Sequence, residues 1–232
     1  YHSTATGKFS AGVDLKYLLT SNLTLDATVN PDFGQVEVDP ATINLSAYET
    51  YYDEKRPFFV AGSNAFNFGG FSCNFCSNVS SLDLFYSRRI GRAPQLNGYV
   101  EGESAFADTP GNTSILGAAK ITGRTAGGIS VGMLDALTNR ETAHYVAAPG
   151  DPELSQRVEP LTNYFVGRFN KDLRGGATTV GGMLTSTVRQ MNDTVMSDRL
   201  RSHSEAAGFD FSHNWSRRTY RWMGSLAMSN VS

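Results

Sequence analysis

The chain has 232 residues, of which 40% are hydrophobic, 11% aromatic and 18% charged, so it can bury a sizeable core as one domain. Its formal net charge of -2 argues against a nucleic-acid partner, because phosphate neutralisation needs clustered Lys and Arg. No run approaches the roughly 20 apolar residues of a membrane-spanning helix, and the mean hydropathy is -0.28. A β-barrel that faces lipid outside and water inside needs only half of each strand to be apolar, so the low hydropathy does not exclude one.

The first predicted element is a hairpin over residues 8–34 that turns at residues 20–22. From Leu23 to Val29 the odd positions are apolar and the even positions are polar or charged. Because side chains on a strand alternate between two faces, this period of two predicts one apolar side and one polar side. The 23 glycines, the eight prolines and the absence of helical periodicity predict an all-β chain.

The second element, residues 35–81, breaks this pattern and is predicted to be an inserted loop or plug. Residues 35–68 are rich in carboxylates and amides and have mixed periodicity, and residues 69–81 are rich in Gly, Ser and Asn.

Residues 82–232 are predicted to contain further strands and hairpins. A strand is expected over residues 82–90, and a polar loop with a short strand around Tyr99 follows. Three hairpins then span 114–138, 161–190 and 204–230, with turns at 126–128, 174–176 and 216–218. The polar segments 139–160 and 191–203 separate them. Short turns at one end and long connections at the other are typical of bacterial outer-membrane barrels.

A soluble β-sandwich gives the same period of two, so strand length has to separate the classes. Runs of ten or more residues are long for globular strands, but they match the roughly 9–11 residues that cross a bilayer at a tilt. We therefore expect residues 1–232 to form one antiparallel transmembrane β-barrel domain, or part of one, with long hairpins and the inserted segment. A soluble β-rich binding module stays open as an alternative.

Six phrases of the chain together resemble an uncharacterised bacterial envelope family. They are GVDLKY at 12–17, NPDFGQVE at 30–37, EKRPFF at 54–59, YSRRIGR at 86–92, KITGRT at 120–125 and NYFVGR at 163–168. In that family a family-9-like carbohydrate-binding domain precedes a C-terminal domain of unknown function, predicted to be an outer-membrane β-barrel, and this chain is similar to the first part of that C-terminal domain. The resemblance implies a bacterial outer-membrane location, a lipid environment, an oligo- or polysaccharide partner and further strands from the rest of the same protein. It implies no catalytic residues.

The acids of the 26–54 segment admit three interpretations. Paired carboxylates could cleave a glycosidic bond, which makes the chain a candidate O-glycosyl hydrolase. The weak catalytic candidates are Asp32, Glu37, Asp39, Glu49 and Glu54. Carboxylate and amide oxygens also suit Ca²⁺, although the spacing fits no EF-hand loop. The favoured interpretation needs no cofactor and makes the acids part of a charged lumen that holds the plug. Its predicted members are Asp14, Lys16, Asp26, Arg56, Arg88, Arg89, Arg92, Lys120 and Arg124.

Two further features bear on location. Cys73 and Cys76 form a CxxC without the two extra ligands of a metal site, so we expect a local disulfide of an oxidising compartment. Four aromatic residues are predicted to lie at bilayer edges: Tyr164, Trp215, Tyr220 and Trp222. The leading functional hypothesis is therefore an outer-membrane channel, transporter or scaffold linked to carbohydrate handling, with the hydrolase and the soluble binding module as alternatives.

Overall fold

The computed structural model describes residues 11–31, 51–69 and 82–232, which form two antiparallel β-sheets and a few short helices. The all-β prediction is confirmed. The strands are β1 Val13–Thr20, β2 Leu23–Val29, β3 Phe106–Asp108, β4 Ile115–Arg124, β5 Ile129–Thr138, β6 Glu141–Val146, β7 Leu154–Glu159, β8 Leu161–Leu173, β9 Thr178–Gln190, β10 His203–Trp215 and β11 Tyr220–Val231. The α-helices are α1 Pro57–Val60, α2 Asn97–Gly102 and α3 Thr194–Arg199, and the 3₁₀ helices are Ser63–Phe66, Ser87–Arg89 and Arg174–Gly176.

The large sheet has eight strands in the order β1-β2-β4-β5-β8-β9-β10-β11, and every neighbouring pair is antiparallel. The tight turns that follow β1, β4, β8 and β10 therefore lie at one end of the sheet, the short-turn end. The long connections after β2, β5 and β9 lie at the other, the connection end. The three hairpins predicted after residue 114 are confirmed, and so is the predicted asymmetry between short turns and long connections.

Three local predictions were wrong, each because tertiary packing determines the conformation. Residues 82–90 contain no strand; they hold a 3₁₀ helix, and their apolar residues Leu84, Phe85 and Ile90 join the core of the large sheet. Tyr99 lies in α2, whose Val100 is buried in a second core.

The segment 139–160 is not only a polar connection, since it supplies β6 and β7. These strands pair with β3 in a three-stranded sheet at the connection end. Ala143 and Val158 are fully buried there, together with Leu96, Val100 and Met196.

The two faces of the large sheet differ: one combines charged and apolar residues and is packed against other parts of the chain, and the other is mostly apolar and exposed. Strand register places Lys16, Asp26, Lys120, Leu134, Val166, Thr185, Ala206 and Ser229 in one row on one face. Residues 56–68 and 84–90 pack against this face, which we call the covered face.

The opposite face, the open face, is apolar and exposed. One row along it is Tyr17, Leu25, Ile121, Met133, Gly167, Leu184, Ala207 and Met228. Met228 is 69% exposed and Trp222, on the same strand and face, is 62% exposed. No helix of the described ranges is long and apolar enough to cross a membrane.

Candidate functional site

Lys120 is the most deeply buried cation of the covered face. Its side chain is 1% exposed, and its Nζ donates hydrogen bonds to the carbonyl oxygens of Phe58 and Ala61 at the two ends of α1. The Nζ also lies 4.7 Å from the centre of the Phe58 ring and 4.0 Å from Oδ2 of Asp26. The cation therefore fixes the inserted segment to the sheet through main-chain oxygens, and Asp26 partly neutralises it.

Lys16, Asp26 and Lys120 form a charged row across three neighbouring strands. Lys16 pairs with Asp26 in register, and Asp26 pairs with Lys120. The Lys16 Nζ is 3.7 Å from Asp26 Oδ1. Asp14 is on the same face, two residues from Lys16, and pairs with the buried Thr28. These four residues predicted for the charged lumen thus lie on one face, and Arg124, four residues after Lys120 on β4, is the fifth.

Arg168 and Asp210 form a second buried charge pair, which the sequence analysis missed. Arg168 is 4% exposed and donates from Nη1 and Nη2 to the two oxygens of Asp210 at 2.5 and 2.8 Å. Its Nε donates to the carbonyl oxygen of Asn67 at 2.9 Å, and its guanidinium lies 5.4 Å from the centre of the Phe68 ring. Arg168 therefore fixes Asn67 to the sheet, as Lys120 fixes residues 58–61, and both contacts lie in the described part of the inserted segment, residues 51–69.

Glycines provide the room for these contacts. A Cβ at Gly181 would overlap the side chains of Asn170, Arg168 and Asp210, so only glycine lets Arg168 reach across β9 to β10. At Gly208 a Cβ would overlap the Phe68 ring and Leu84. The close fit of residues 62–68 to the sheet depends on these missing side chains.

Glu54, Arg56 and Ser87 form a third polar cluster, which joins the inserted segment to residues 84–90. The Arg56 Nε and Nη2 donate to the two carboxylate oxygens of Glu54 at 2.8 and 2.7 Å, and Ser87 Oγ donates to Oε2 at 2.6 Å. Arg56 also donates to the carbonyl oxygens of Ile90 and Ser87, and it lies 4.2 Å from the Phe59 ring centre.

This environment determines the charge state of Glu54. Burial raises the pKa of the carboxyl, but the hydrogen bonds from Arg56 and Ser87 and the positive charge of Arg56 lower the pKa by more. The net pKa therefore lies below its ordinary value, and Glu54 is a bound carboxylate rather than a proton donor. A general acid for glycoside cleavage needs the opposite shift.

A cavity of about 220 Å³ lies beside this cluster. Aromatic rings form much of its wall, and Glu54, Asp53, Ser63 and Asn67 supply polar groups. The aromatic lining residues are Tyr52, Phe59, Phe66, Phe85 and Tyr86. The Tyr86 hydroxyl is hydrogen-bonded to the main chain of Tyr52, donating to its carbonyl oxygen and accepting from its N–H, so this wall is fixed by the same inserted segment.

The remaining residues of the predicted lumen are dispersed. Arg124 pairs with Asp172 at 3.1 Å near the short-turn end, and both side chains are solvent-exposed. Arg88 donates to the Asp53 carbonyl oxygen at 3.1 Å. Arg89 and Arg92 lie near the connection end, around Tyr164.

Several predictions lie outside the described residues. These are the catalytic candidates Asp32, Glu37, Asp39 and Glu49 and the disulfide candidates Cys73 and Cys76. Within ranges 11–31, 51–69 and 82–232, no group of three or more His, Cys, Asp and Glu side chains is placed to hold a metal ion.

The open face ends in an aromatic cluster at the short-turn end. Trp215 stacks on Tyr220 with ring centres 5.8 Å apart, and Trp222 meets Phe211 edge-on at 4.8 Å. Phe211 also lies over its cross-strand partner Gly224.

Tyr164 was wrongly predicted to join this group. Strand register pairs it with Ala136 and Thr187 on the covered face, where it packs against the core.

One protein-family model matches the whole length of the chain. The model described as a domain of unknown function, DUF5916, matches residues 1–232. This confirms the part of the resemblance that concerned a domain of unknown function. No curated protein and no solved structure matches the chain.

Proposed function

The chain belongs to the DUF5916 family, and we propose that it forms part of a transmembrane β-barrel in a bacterial outer membrane. In this proposal the open face contacts lipid, the covered face lines the interior, and residues 51–69 fill that interior as a plug. The barrel acts as a channel, transporter or scaffold associated with carbohydrate binding or uptake.

The observation that carries the proposal is the reversed sidedness of the large sheet. Its buried face contains the charged Lys120 and Arg168 among core residues such as Leu134, whereas many large apolar side chains of the sheet are exposed on the open face. Those on the open face include Val13, Leu15, Tyr17, Val29, Met133, Phe169, Leu184, Val188, Phe209, Trp215, Tyr220, Trp222, Leu226 and Met228. Full burial of one such side chain is favourable by about 1.5–3 kcal/mol, so leaving all of them in water carries a large cost. Hydrocarbon removes this cost without a protein partner.

The apolar side chains of the open face form a band whose position shifts from strand to strand, as tilted strands require. One open-face row starts with Leu15, Ala27 and Ala119 and ends with Ser186, Glu205 and Asn230. Between them lie Asp135 on β5 and Phe165 on β8, so the row is apolar on its first three strands and polar on its last three. On β10 and β11 the apolar positions instead continue to Trp215 and Tyr220 at the short-turn end. A band that steps along successive strands is expected when strands cross a bilayer at a tilt.

Strand length supports the same proposal. Strands β4, β5 and β8 to β11 have 10–13 residues, and 10 residues extend over about 33 Å. At a tilt of about 40° this length covers roughly 25 Å, the height of the apolar band of an outer-membrane barrel. Trp215, Tyr220 and Trp222 then lie where an interfacial aromatic girdle is expected.

The proposal also includes a partner for the two edge strands. β1 and β11 end the strand order, and each has a hydrogen-bonded neighbour on one side. Unpaired strand edges cannot lie in hydrocarbon, because their N–H and C=O groups would have no hydrogen-bond partners. Further strands of the same protein would pair with these edges and close the barrel.

Fluorescence quenching by brominated lipids tests lipid contact directly. The chain has two tryptophans, Trp215 and Trp222, and both are on the open face. The full-length parent protein, with any tryptophan outside residues 1–232 replaced by phenylalanine, should lose much of its tryptophan emission when it is refolded into vesicles that contain brominated phospholipid. The matched control is Trp215→Phe/Trp222→Phe/Tyr99→Trp, whose single tryptophan lies in α2 beside the second core and should keep its emission.

Equal emission of the native chain in brominated and ordinary lipid would refute lipid contact. Fractionation of the full-length parent protein tests the location, with recovery in the outer membrane and a heat-dependent gel mobility as the expected result. Recovery in the soluble fraction without a mobility shift would refute the barrel and favour a soluble β-rich module.

The carbohydrate association rests on the resemblance and has its own test. Proteoliposomes that contain the parent protein should swell in an oligosaccharide solution if it conducts sugars. Absence of swelling, with the barrel established, would exclude conduction and leave the scaffold role.

A further inference from the structure

We propose that the connection end of the covered face carries a binding site for a small oxyanion, formed by Arg92, Arg140 and Arg189 beside Tyr164. The ligand class is a phosphate or sulfate group, free or attached to a larger solute. The site goes beyond the proposed function and does not depend on it.

Strand register places Arg140 and Arg189 on opposite sides of β8. Thr138 on β5 pairs with Thr162 on β8, and Thr162 pairs with Arg189 on β9. Arg140 follows Thr138 by two residues at the end of β5, and its Nη2 donates to Oε1 of Gln190. Arg140 and Arg189 therefore flank the same end of β8.

Arg92 reaches the same region from the segment that follows residues 84–90. Its carbonyl oxygen accepts hydrogen bonds from Thr113 N and Oγ1 at 2.9 and 2.8 Å, which fix its position. Ser114, the residue after Thr113, accepts a hydrogen bond from Asn139 N at 2.8 Å through its carbonyl oxygen, so Arg92 lies beside the end of β5, where Arg140 follows. Three arginines, Arg92, Arg140 and Arg189, therefore meet two acids at this corner, Glu159 and its cross-strand partner Glu141.

Both acids are already hydrogen-bonded to other groups. Glu159 is 1% exposed and accepts hydrogen bonds from Gln95 N at 2.8 Å and Gln95 Nε2 at 3.2 Å. Glu141 accepts a hydrogen bond from Ser114 N at 2.8 Å. Among the described residues, neither carboxylate forms an ion pair with the three arginines.

The three arginines hold unused donors. The Nε atoms of Arg92, Arg140 and Arg189 are buried and donate no hydrogen bond within the part of the chain that the structure describes. Among the described residues none of the three forms an ion pair, in contrast to Arg56, Arg124 and Arg168. A buried donor without an acceptor is unfavourable, and an arginine fork matches the oxygens of phosphate and sulfate. An oxyanion would satisfy these donors and neutralise the excess positive charge.

Calorimetric titration of the folded, detergent-solubilised protein with sodium sulfate at constant ionic strength tests this site. We expect saturable binding to the native chain that is weakened roughly tenfold or more in Arg92→Gln and in Arg189→Gln, because each removes a charge-assisted hydrogen bond. Arg157→Gln changes an exposed arginine on β7 and should bind sulfate as the native chain does. Arg189→Lys keeps the charge without the fork and should bind with intermediate affinity.

Two results would overturn the proposal: no saturable sulfate binding by the native chain, or equal affinity in Arg189→Gln and Arg157→Gln. Inorganic phosphate and glycerol 3-phosphate, titrated in the same way, distinguish a free ion from a phosphate group on a larger solute. Circular dichroism of each variant excludes misfolding as the cause of lost binding. Since the titration needs no bilayer, its failure leaves the brominated-lipid result unaffected.

Discussion

Removal of the Asp210 carboxylate tests whether Arg168 holds the inserted segment through a buried ion pair. Asp210→Asn keeps the size of the side chain but leaves the guanidinium of Arg168, 4% exposed, without a counterion. It disrupts two charge-assisted hydrogen bonds, of 2.5 and 2.8 Å. Breaking a buried pair from one side costs about 3–5 kcal/mol, and the remaining amide oxygen still accepts one bond. We therefore expect the free energy of unfolding to fall by about 3 kcal/mol.

A double-mutant cycle with Arg168→Met separates the ion pair from packing. Once Arg168 is gone, Asp210→Asn should cost little, because Asp210 is partly exposed and water can reach it. The double variant should therefore be more stable than the sum of the single effects predicts, by at least about 1.5 kcal/mol.

The matched control is the exposed pair of Arg124 and Asp172. These side chains are 51% and 40% exposed and lie 3.1 Å apart. Asp172→Asn should cost at most about 1 kcal/mol, as exposed ion pairs do.

Urea unfolding in detergent micelles measures all of these variants. The reporter is the emission of Trp215 and Trp222, which lie on the open face, away from both pairs. If Asp210→Asn costs no more than Asp172→Asn, or if the cycle is additive, the buried pair does not hold the segment and the reasoning fails.

Three further changes test other parts of the fold. Gly208→Ala should lower the free energy of unfolding by about 1–3 kcal/mol because the new Cβ overlaps the Phe68 ring, whereas Gly98→Ala meets no atom within 4 Å and should not destabilise; equal urea midpoints would contradict this. Glu54→Gln should lower the free energy of unfolding by roughly 1.5 kcal/mol at pH 7. The pKa of Glu54 in the folded chain lies below its ordinary value of 4.5, so the stability that the carboxylate contributes is complete above pH 4.5 and is lost as the pH falls through the pKa of the folded state. If the free energies of unfolding of the native chain and Glu54→Gln stay parallel below pH 4.5, this reasoning is refuted. Arg218→Gly should raise the melting temperature, because Arg218 has a φ of 67° and a left-handed conformation costs a non-glycine residue about 1 kcal/mol; a lower melting temperature would show that the arginine side chain contributes more than the strain.

The hairpins could be predicted from the sequence because their signals are local. In the hairpin over residues 114–138, alternation along Ile115–Arg124 and Ile129–Thr138 defines both strands, and the glycines between them allow the tight turn. Residues 82–90 have similar apolar spacing but form no strand, because their apolar side chains pack on a sheet made by other parts of the chain. Alternation alone does not distinguish a paired strand from an extended segment that packs on a sheet.

The contrast between local sequence patterns and long-range packing also explains which charged residues could be predicted. Asp26 and Lys120 were recognised because each is a charged residue at the polar positions of an alternating strand. Arg168 meets Asp210 only because β9 lies between β8 and β10 and has Gly181 at the crossing point. A contact between strands that are not neighbours depends on the complete strand order and on one absent side chain. No local pattern contains that information.

The way the inserted segment is attached explains how a polar sheet face can have a well-ordered core. Lys120 binds the carbonyl oxygens of Phe58 and Ala61, and Arg168 binds that of Asn67. These main-chain acceptors are present whatever the side chains are, so two cations of the sheet fix the segment at residues 58–61 and at Asn67. Phe59 and Phe66 fill the space against the sheet. Apolar packing and buried charge therefore act on the same short stretch. The covered face is therefore tightly packed, while the apolar side chains of the open face stay exposed.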